Sequence, residues 1–118
     1  MTPLARGRFY WARLPGDKRR PVLVVSPETR NALASDVIVV PVSSVLHEGP
    51  WHVRLSKSEG GLPRASVVKC EQITTLRKDR ILPEPLGPPL TPRRMSAVER
   101  GVLRAIGVPI PLEPRENG

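Results

Sequence analysis

The apolar residues of this chain come in short runs, rich in β-branched side chains and closed off by turn residues. Runs of that kind read as strands, because a branched Cβ packs well on a pleated surface and the turn residues end each run early. Residues 8–14 form the first. The Pro15-Gly16-Asp17-Lys18 stretch that follows suits a type II turn, with Pro and Gly at its two central positions. Residues 21–26 (PVLVVS) are almost continuously apolar, the pattern of a strand buried on both faces. Residues 27–35 are polar and loop-like, with room for a helical turn at 28–33. The next strand is 37–43 (VIVVPVS), and its Pro41 cannot donate a ladder hydrogen bond, which places that point at an edge or a bulge. Residues 51–55 alternate as a half-exposed strand, Gly60-Gly61 marks a turn, and 65–76 carries one strand or two bent pieces.

Residues 83–92 (PEPLGPPLTP) are too rich in proline for a central strand and must run as an irregular edge or connection. One helix follows. Thr91 can cap it, Pro92 suits its first turn, and Met95, Val98, Val102, Leu103 and Ile106 recur on one face until Gly107 stops it. Several short strands and a terminal helix make a mainly β chain, a small barrel with one helix packed on it. The 118 residues fit a single domain, 1–118, with the barrel and helix in 6–107 and a flexible tail in 108–118. A core this small gains from burying more surface in a dimer.

Lys and Arg number 19 against 11 acidic residues, a formal net charge of +8. Such an excess favours a polyanion, since phosphates gain from cationic contacts and release counterions. No basic amphipathic helix or long apolar stretch points to a membrane. The lone Cys70 cannot form an internal disulfide, which argues for a reducing, cytoplasmic setting. His47 and His52 with one cysteine make no zinc pattern, so neither a metal nor another cofactor is expected.

Four segments in order, RGRFYWARL near the start, RRPVLVVSP at 19–27, VIVVPVSS at 37–44 and SVVKCEQITTL at 66–76, together resemble the MazF/PemK/Kid family. The likeness runs over residues 6–107. It implies an SH3-like barrel of the MazF/Kid/CcdB type, a homodimer, and single-stranded RNA bound in a groove across it. It also implies metal-independent, sequence-selective cleavage of RNA through the ribose 2′-hydroxyl, and an antitoxin partner whose acidic segment blocks the groove. The same barrel also serves non-catalytic nucleic-acid binding or CcdB-like poisoning of a topoisomerase, which is the competing reading.

Attack by a 2′-hydroxyl needs a base, stabilisation of the crowded phosphorane oxygens and an acid for the leaving 5′-oxygen. Arg20 matches an arginine that the family uses at the cleaved phosphate, and its planar fork suits phosphate oxygens. Ser43 stands where many relatives carry threonine and keeps the hydroxyl. Lys69 and Glu71, two apart on an expected strand, would share a face, and one branch of the family carries Arg and Asp there as an acid/base pair. The same places could instead hold an inconsequential ion pair. The loop between the first two strands is short and lacks the histidine that this branch supplies, so the base has no assigned owner. For RNA binding the expected contacts are Lys18, Arg19, Ser44, Arg54 and Arg77, with Trp51 and His52 as stacking surfaces. Phe9, Tyr10 and Trp11 are read as core or dimer contacts, and Cys70 as a small core residue.

Overall fold

The computed structural model describes residues 3–16 and 18–111. Seven strands, β1 (Phe9–Arg13), β2 (Arg19–Val24), β3 (Asp36–Ser43), β4 (His52–Leu55), β5 (Ser66–Lys69), β6 (Thr74–Arg77) and β7 (Ile81–Pro85), precede the long helix α2 (Pro92–Ala105). A short helix, α1 (Glu28–Leu33), fills the expected place between β2 and β3. All strand pairs are antiparallel, in the order β4-β5-β3-β2-β1-β7, with β6 on β3 as well. The expected mainly β architecture with a C-terminal helix is the one observed.

The central ribbon β1-β2-β3 is buried on both sides, which explains the unbroken apolar run at 21–26. Val22 and Val24 join Tyr10, Ala12, Val37, Val39, Leu76 and Ile81 in the core enclosed by β6 and β7. Leu23, with Phe9, Val40 and Val42, faces the opposite core, where α2 supplies Met95 and Val98. The helix is capped as expected, Thr91 Oγ1 accepting from the Arg94 N–H at 3.3 Å. Leu103 and Ile106, however, are exposed and take no part in the apolar face assigned to them. Gly101 occupies that face instead, buried against Cys70.

Two other expectations are changed, and a third is resolved between its alternatives. β2 begins two residues earlier than the apolar run, so Arg19 and Arg20 lie in the ladder opposite Arg13 and Ala12. Pro41 is in a central strand and not at an edge of the sheet. Ile38 turns its carbonyl to β2, accepting from Val25 N–H at 2.9 Å. By alternation the Pro41 nitrogen faces the other edge, where β6 (paired to 36–39) gives way to β5 (paired to 42–43), and its missing donor interrupts no ladder. Finally, residues 65–76 split into β5 and β6, and the 3₁₀ turn Cys70–Gln72 lies between them.

The β1–β2 turn closes with Leu14 N–H on the Lys18 carbonyl at 2.8 Å, and Gly16 takes the left-handed φ of +88° that the turn requires. Asp17 of that turn lies outside the described residues. Of the expected tail, residues 108–111 are tied back to α2, with Arg104 donating to the Ile110 and Pro111 carbonyls at 3.2 and 2.9 Å. Residues 112–118 lie outside the described residues.

Candidate functional site

A groove of about 320 Å³ opens where β1, β2 and β3 meet the start of β5. Arg19 and Arg20 of β2, Ser43 at the end of β3, and Ser44 beyond it line the groove, with Trp11, Arg64 and Ser66. The sequence placed Arg20 and Ser43 together at a phosphate, and both border this one concavity. Its charged lining is three guanidiniums and no carboxylate. Neither Arg19 nor Arg20 has a side-chain hydrogen bond or ion pair among the described residues, which leaves their donors facing solvent. The Ser43 Oγ accepts from the Val45 N–H at 3.1 Å, as strand-end serines commonly do. That contact uses a lone pair and leaves the hydroxyl proton to donate elsewhere.

Strand register extends the set. Ser43 is opposite Val67, and Val67 is opposite Arg54; one step further along the same face, Lys69 is opposite His52. Because Val22 pairs with Pro41, alternation puts Arg20 on the face that carries Ser43. Arg20, Ser43, Lys69, Arg54 and His52 therefore share one face of the sheet. Ser43 and Lys69 are diagonal neighbours, about 7–8 Å apart between Cα atoms, within reach of a lysine side chain.

Glu71 does not follow the expected period. β5 ends at Lys69, and Glu71 lies on the 3₁₀ turn, where the two-residue alternation no longer applies. Its carboxylate meets His52 Nε2 at 3.1 Å and makes no ion pair with Lys69. His52 Nδ1 in turn faces the His47 carbonyl at 3.2 Å. With only a tenth of its side chain exposed and both ring nitrogens engaged, His52 braces Glu71 and is not an open stacking surface. Trp51 is more accessible, at 38%. Arg54 is exposed and 4.0 Å from Glu48, and Arg77 is held by Asp79 at 3.2 Å. Lys18 is exposed beside the β1–β2 turn and does not line the groove.

Trp11 and Arg64 were missed as groove residues. Trp11 follows buried Phe9 on the same strand face, so its pattern reads as core, and only the register that sets it opposite Pro21 brings it to the groove. Arg64 sits in a connection with no periodicity to read. Cys70 is fully buried, and burial together with the neighbouring Glu71 charge pushes its thiol up to about 12. Among the described residues no three His, Cys, Asp or Glu side chains are grouped to hold a metal ion. No helix there is long and apolar enough to cross a membrane.

The model of the PemK-like, MazF-like toxins of type II toxin–antitoxin systems matches residues 5–106. Endoribonuclease MazF4 of Mycobacterium tuberculosis is 32% identical over 111 residues, covering 94% of this chain and 100% of the relative. Endoribonuclease MazF of Staphylococcus saprophyticus is 34% identical over 86 residues, 66% of this chain and 72% of the relative. Among solved structures, an endoribonuclease in complex with its cognate antitoxin from a mycobacterial species superposes with a TM-score of 0.77. It is 30% identical and covers 92% of this chain and 99% of its own. MazF of Deinococcus radiodurans, 22% identical, shares the fold at a TM-score of 0.76, with coverages of 89% and 97%.

Proposed function

Because the chain belongs to the PemK-like, MazF-like toxins of type II toxin–antitoxin systems, we propose that it is the endoribonuclease toxin of such a pair, cutting single-stranded RNA and held in check by a cognate antitoxin. Two relatives of its family, matched over most of their length, carry the name endoribonuclease, and a solved relative is bound to its antitoxin. They favour the enzyme over a non-catalytic barrel or a topoisomerase poison. The observation that carries the reading in this chain is the groove where Arg20 and Ser43 meet without a carboxylate in the lining. We place the protein in the cytoplasm and expect it to act as a homodimer.

In the proposed reaction the ribose 2′-oxygen attacks the adjacent phosphorus and the bond to the 5′-oxygen breaks. The products are a 2′,3′-cyclic phosphate and a 5′-hydroxyl. The Arg20 guanidinium holds the non-bridging oxygens through paired N–H donors, and it does so most strongly when charge builds up on them. The Ser43 hydroxyl, its lone pair occupied by Val45 N–H, donates to the same phosphate. Lys69, on the same face, protonates the departing 5′-oxygen. Glu71, oriented by His52 on the turn beyond Lys69 and outside the groove lining, is the group to which we assign the 2′-hydroxyl proton. Lys18, Arg19, Ser44, Arg54 and Arg77 contact the flanking RNA backbone, and Trp51 stacks on an unpaired base.

The test is to map fragment ends after incubating the purified protein with a heterogeneous single-stranded RNA in excess EDTA. Cyclic-phosphate and 5′-hydroxyl ends are expected, and a 2′-deoxyribose at the mapped cut site should stop cleavage while binding persists. No cleavage of any RNA, alongside tight binding to a topoisomerase, would overturn the proposal.

A further inference from the structure

A second basic depression adjoins the first, with Trp11 and Arg19 at their common border. It is lined by Arg13, Arg19, Arg77 and Arg80, with Asp79 as its one acidic residue, and by Ile81 and Leu82 of β7. Trp11 and Arg19 line both depressions. Arg13 and Arg19 are direct cross-strand partners in the β1–β2 ladder. Like charges directly opposite each other weaken a sheet, and here neither guanidinium has a carboxylate partner among the described residues. Asp79 is already engaged by Arg77 at 3.2 Å, so it does not neutralise Arg13, Arg19 or Arg80. An unfavourable charge pair kept in a concavity, next to a partly exposed indole, is a site shaped for an anion bearing flat rings.

We propose that Arg13, Arg19 and Arg80 form a second phosphate subsite for the RNA strand, with the Trp11 indole as the platform for a base lying between that phosphate and the one at Arg20 and Ser43. The inference rests on the endoribonuclease reading and adds the path of the strand beyond the cut. The alternation of guanidinium cluster, aromatic ring and guanidinium cluster follows the alternation of phosphate, base and phosphate along a single strand. An acidic peptide would also engage the arginines and could pack an apolar side chain on the ring, but only a nucleic-acid strand repeats charge and flat ring in regular alternation. Arg19, lining both depressions, bridges successive phosphates.

The experiment uses two oligoribonucleotides centred on the mapped cut site, a dinucleotide whose one phosphate is the cut one and a 12-mer, each made uncleavable by one 2′-deoxyribose. The 12-mer should bind more tightly, and its salt dependence should be steeper by about 0.7 in log–log slope for each added phosphate contact. The double variant Arg13→Gln/Arg80→Gln should lose roughly tenfold or more in affinity for the 12-mer, at least five times its loss for the dinucleotide, and flatten the 12-mer slope. In a Trp51→Phe background, the remaining Trp11 fluorescence should be quenched more by the 12-mer than by the dinucleotide, because the second phosphate holds the base over the ring. Thermal melting checks that the variants fold. If Arg13→Gln does not, the exposed Arg80→Gln alone carries the comparison.

Equal losses on both lengths, or none, in a protein that still binds and cuts RNA would overturn the subsite and leave the endoribonuclease reading standing. Tight binding of a polyglutamate 12-mer that depends on Arg13 and Arg80, with no such dependence for RNA, would overturn it in favour of a peptide site. A wild-type protein that neither binds nor cuts RNA of either length would overturn both.

Discussion

Replacing Gly101 by alanine should push α2 away from the turn that carries Glu71. A Cβ built there would lie 2.7 Å from Cys70 Sγ, 3.2 Å from Cys70 Cβ and 3.2 Å from the Trp51 carbonyl oxygen. Comfortable heavy-atom contacts begin near ~3.5 Å, so the new atom intrudes by nearly 1 Å on the sulfur. None of the three neighbours can step aside cheaply. Cys70 is fully buried, and its own N–H is bonded to that same Trp51 carbonyl at 3.3 Å. Overpacking costs about 1–3 kcal/mol, and a contact this short against buried, bonded neighbours belongs in the upper part of that range, about 2–3 kcal/mol; alanine recovers about 1 kcal/mol through its better helix propensity. The net expectation is a loss of about 1–2 kcal/mol, or a fall in Tm of roughly 5–10 °C for a domain of this size. Circular-dichroism melts of wild type, Gly101→Ala, Cys70→Ala and the double variant form the test. Removing the sulfur takes away the worst contact, so the double variant should be more stable than the sum of the singles by about 1 kcal/mol. A Gly101→Ala protein that melts at or above wild type, or a cycle with no coupling, would refute the packing argument.

Glu59 ties the turn before β5 to α2, accepting from Ser56 N–H at 2.7 Å and from Arg94 Nε at 2.9 Å. Burial pushes its carboxyl up, but Arg94 and the Ser56 N–H outweigh it and the net direction is down. A lowered folded value means the stabilisation is present at neutral pH and is lost as pH falls through the folded value. Glu59→Gln should therefore melt below wild type at pH 7, by under about 1 kcal/mol for this half-exposed pair, and the gap should close in acid. The Cys70 thiol, raised to about 12, should resist Ellman's reagent at pH 8 in the folded protein and react fully in guanidinium; rapid native labelling would contradict its burial. Asn31 is fully buried and donates to the Leu4 and Ser26 carbonyls at 2.9 Å each. Asn31→Ala strands both acceptors and should cost about 2–3 kcal/mol in a denaturant melt.

The strands, the capped helix and the doubly buried β2 were legible because each depends on local periodicity or on a capping residue beside it. What the sequence hid depends on partners distant in the chain. Pro41 reads as an edge residue until the handover from β6 to β5 is known. Leu103 and Ile106 fit the helical period, yet the close approach of α2 to Cys70 through Gly101 turns the helix so that they face solvent. The same holds for the site. Arg20 and Ser43 were legible from the resemblance of the segments around them, and they border one groove. Glu71 was misplaced because nothing local announces that β5 stops at Lys69, and its partner His52 is nineteen residues away. Arg13 looks like an ordinary surface charge until the ladder sets it against Arg19.

The central claim is that Arg20 works at the cleaved phosphate of an RNA strand. It is tested most directly by single-turnover cleavage of a single-stranded RNA in excess EDTA, wild type against Arg20→Ala, with matched melts to show that both are folded. The account predicts wild-type cleavage to a 2′,3′-cyclic phosphate and a 5′-hydroxyl, and a loss of roughly 100-fold or more in the variant, the scale seen when one donor to a developing oxyanion is removed. A folded Arg20→Ala protein that cuts the same RNA at the wild-type rate would contradict it.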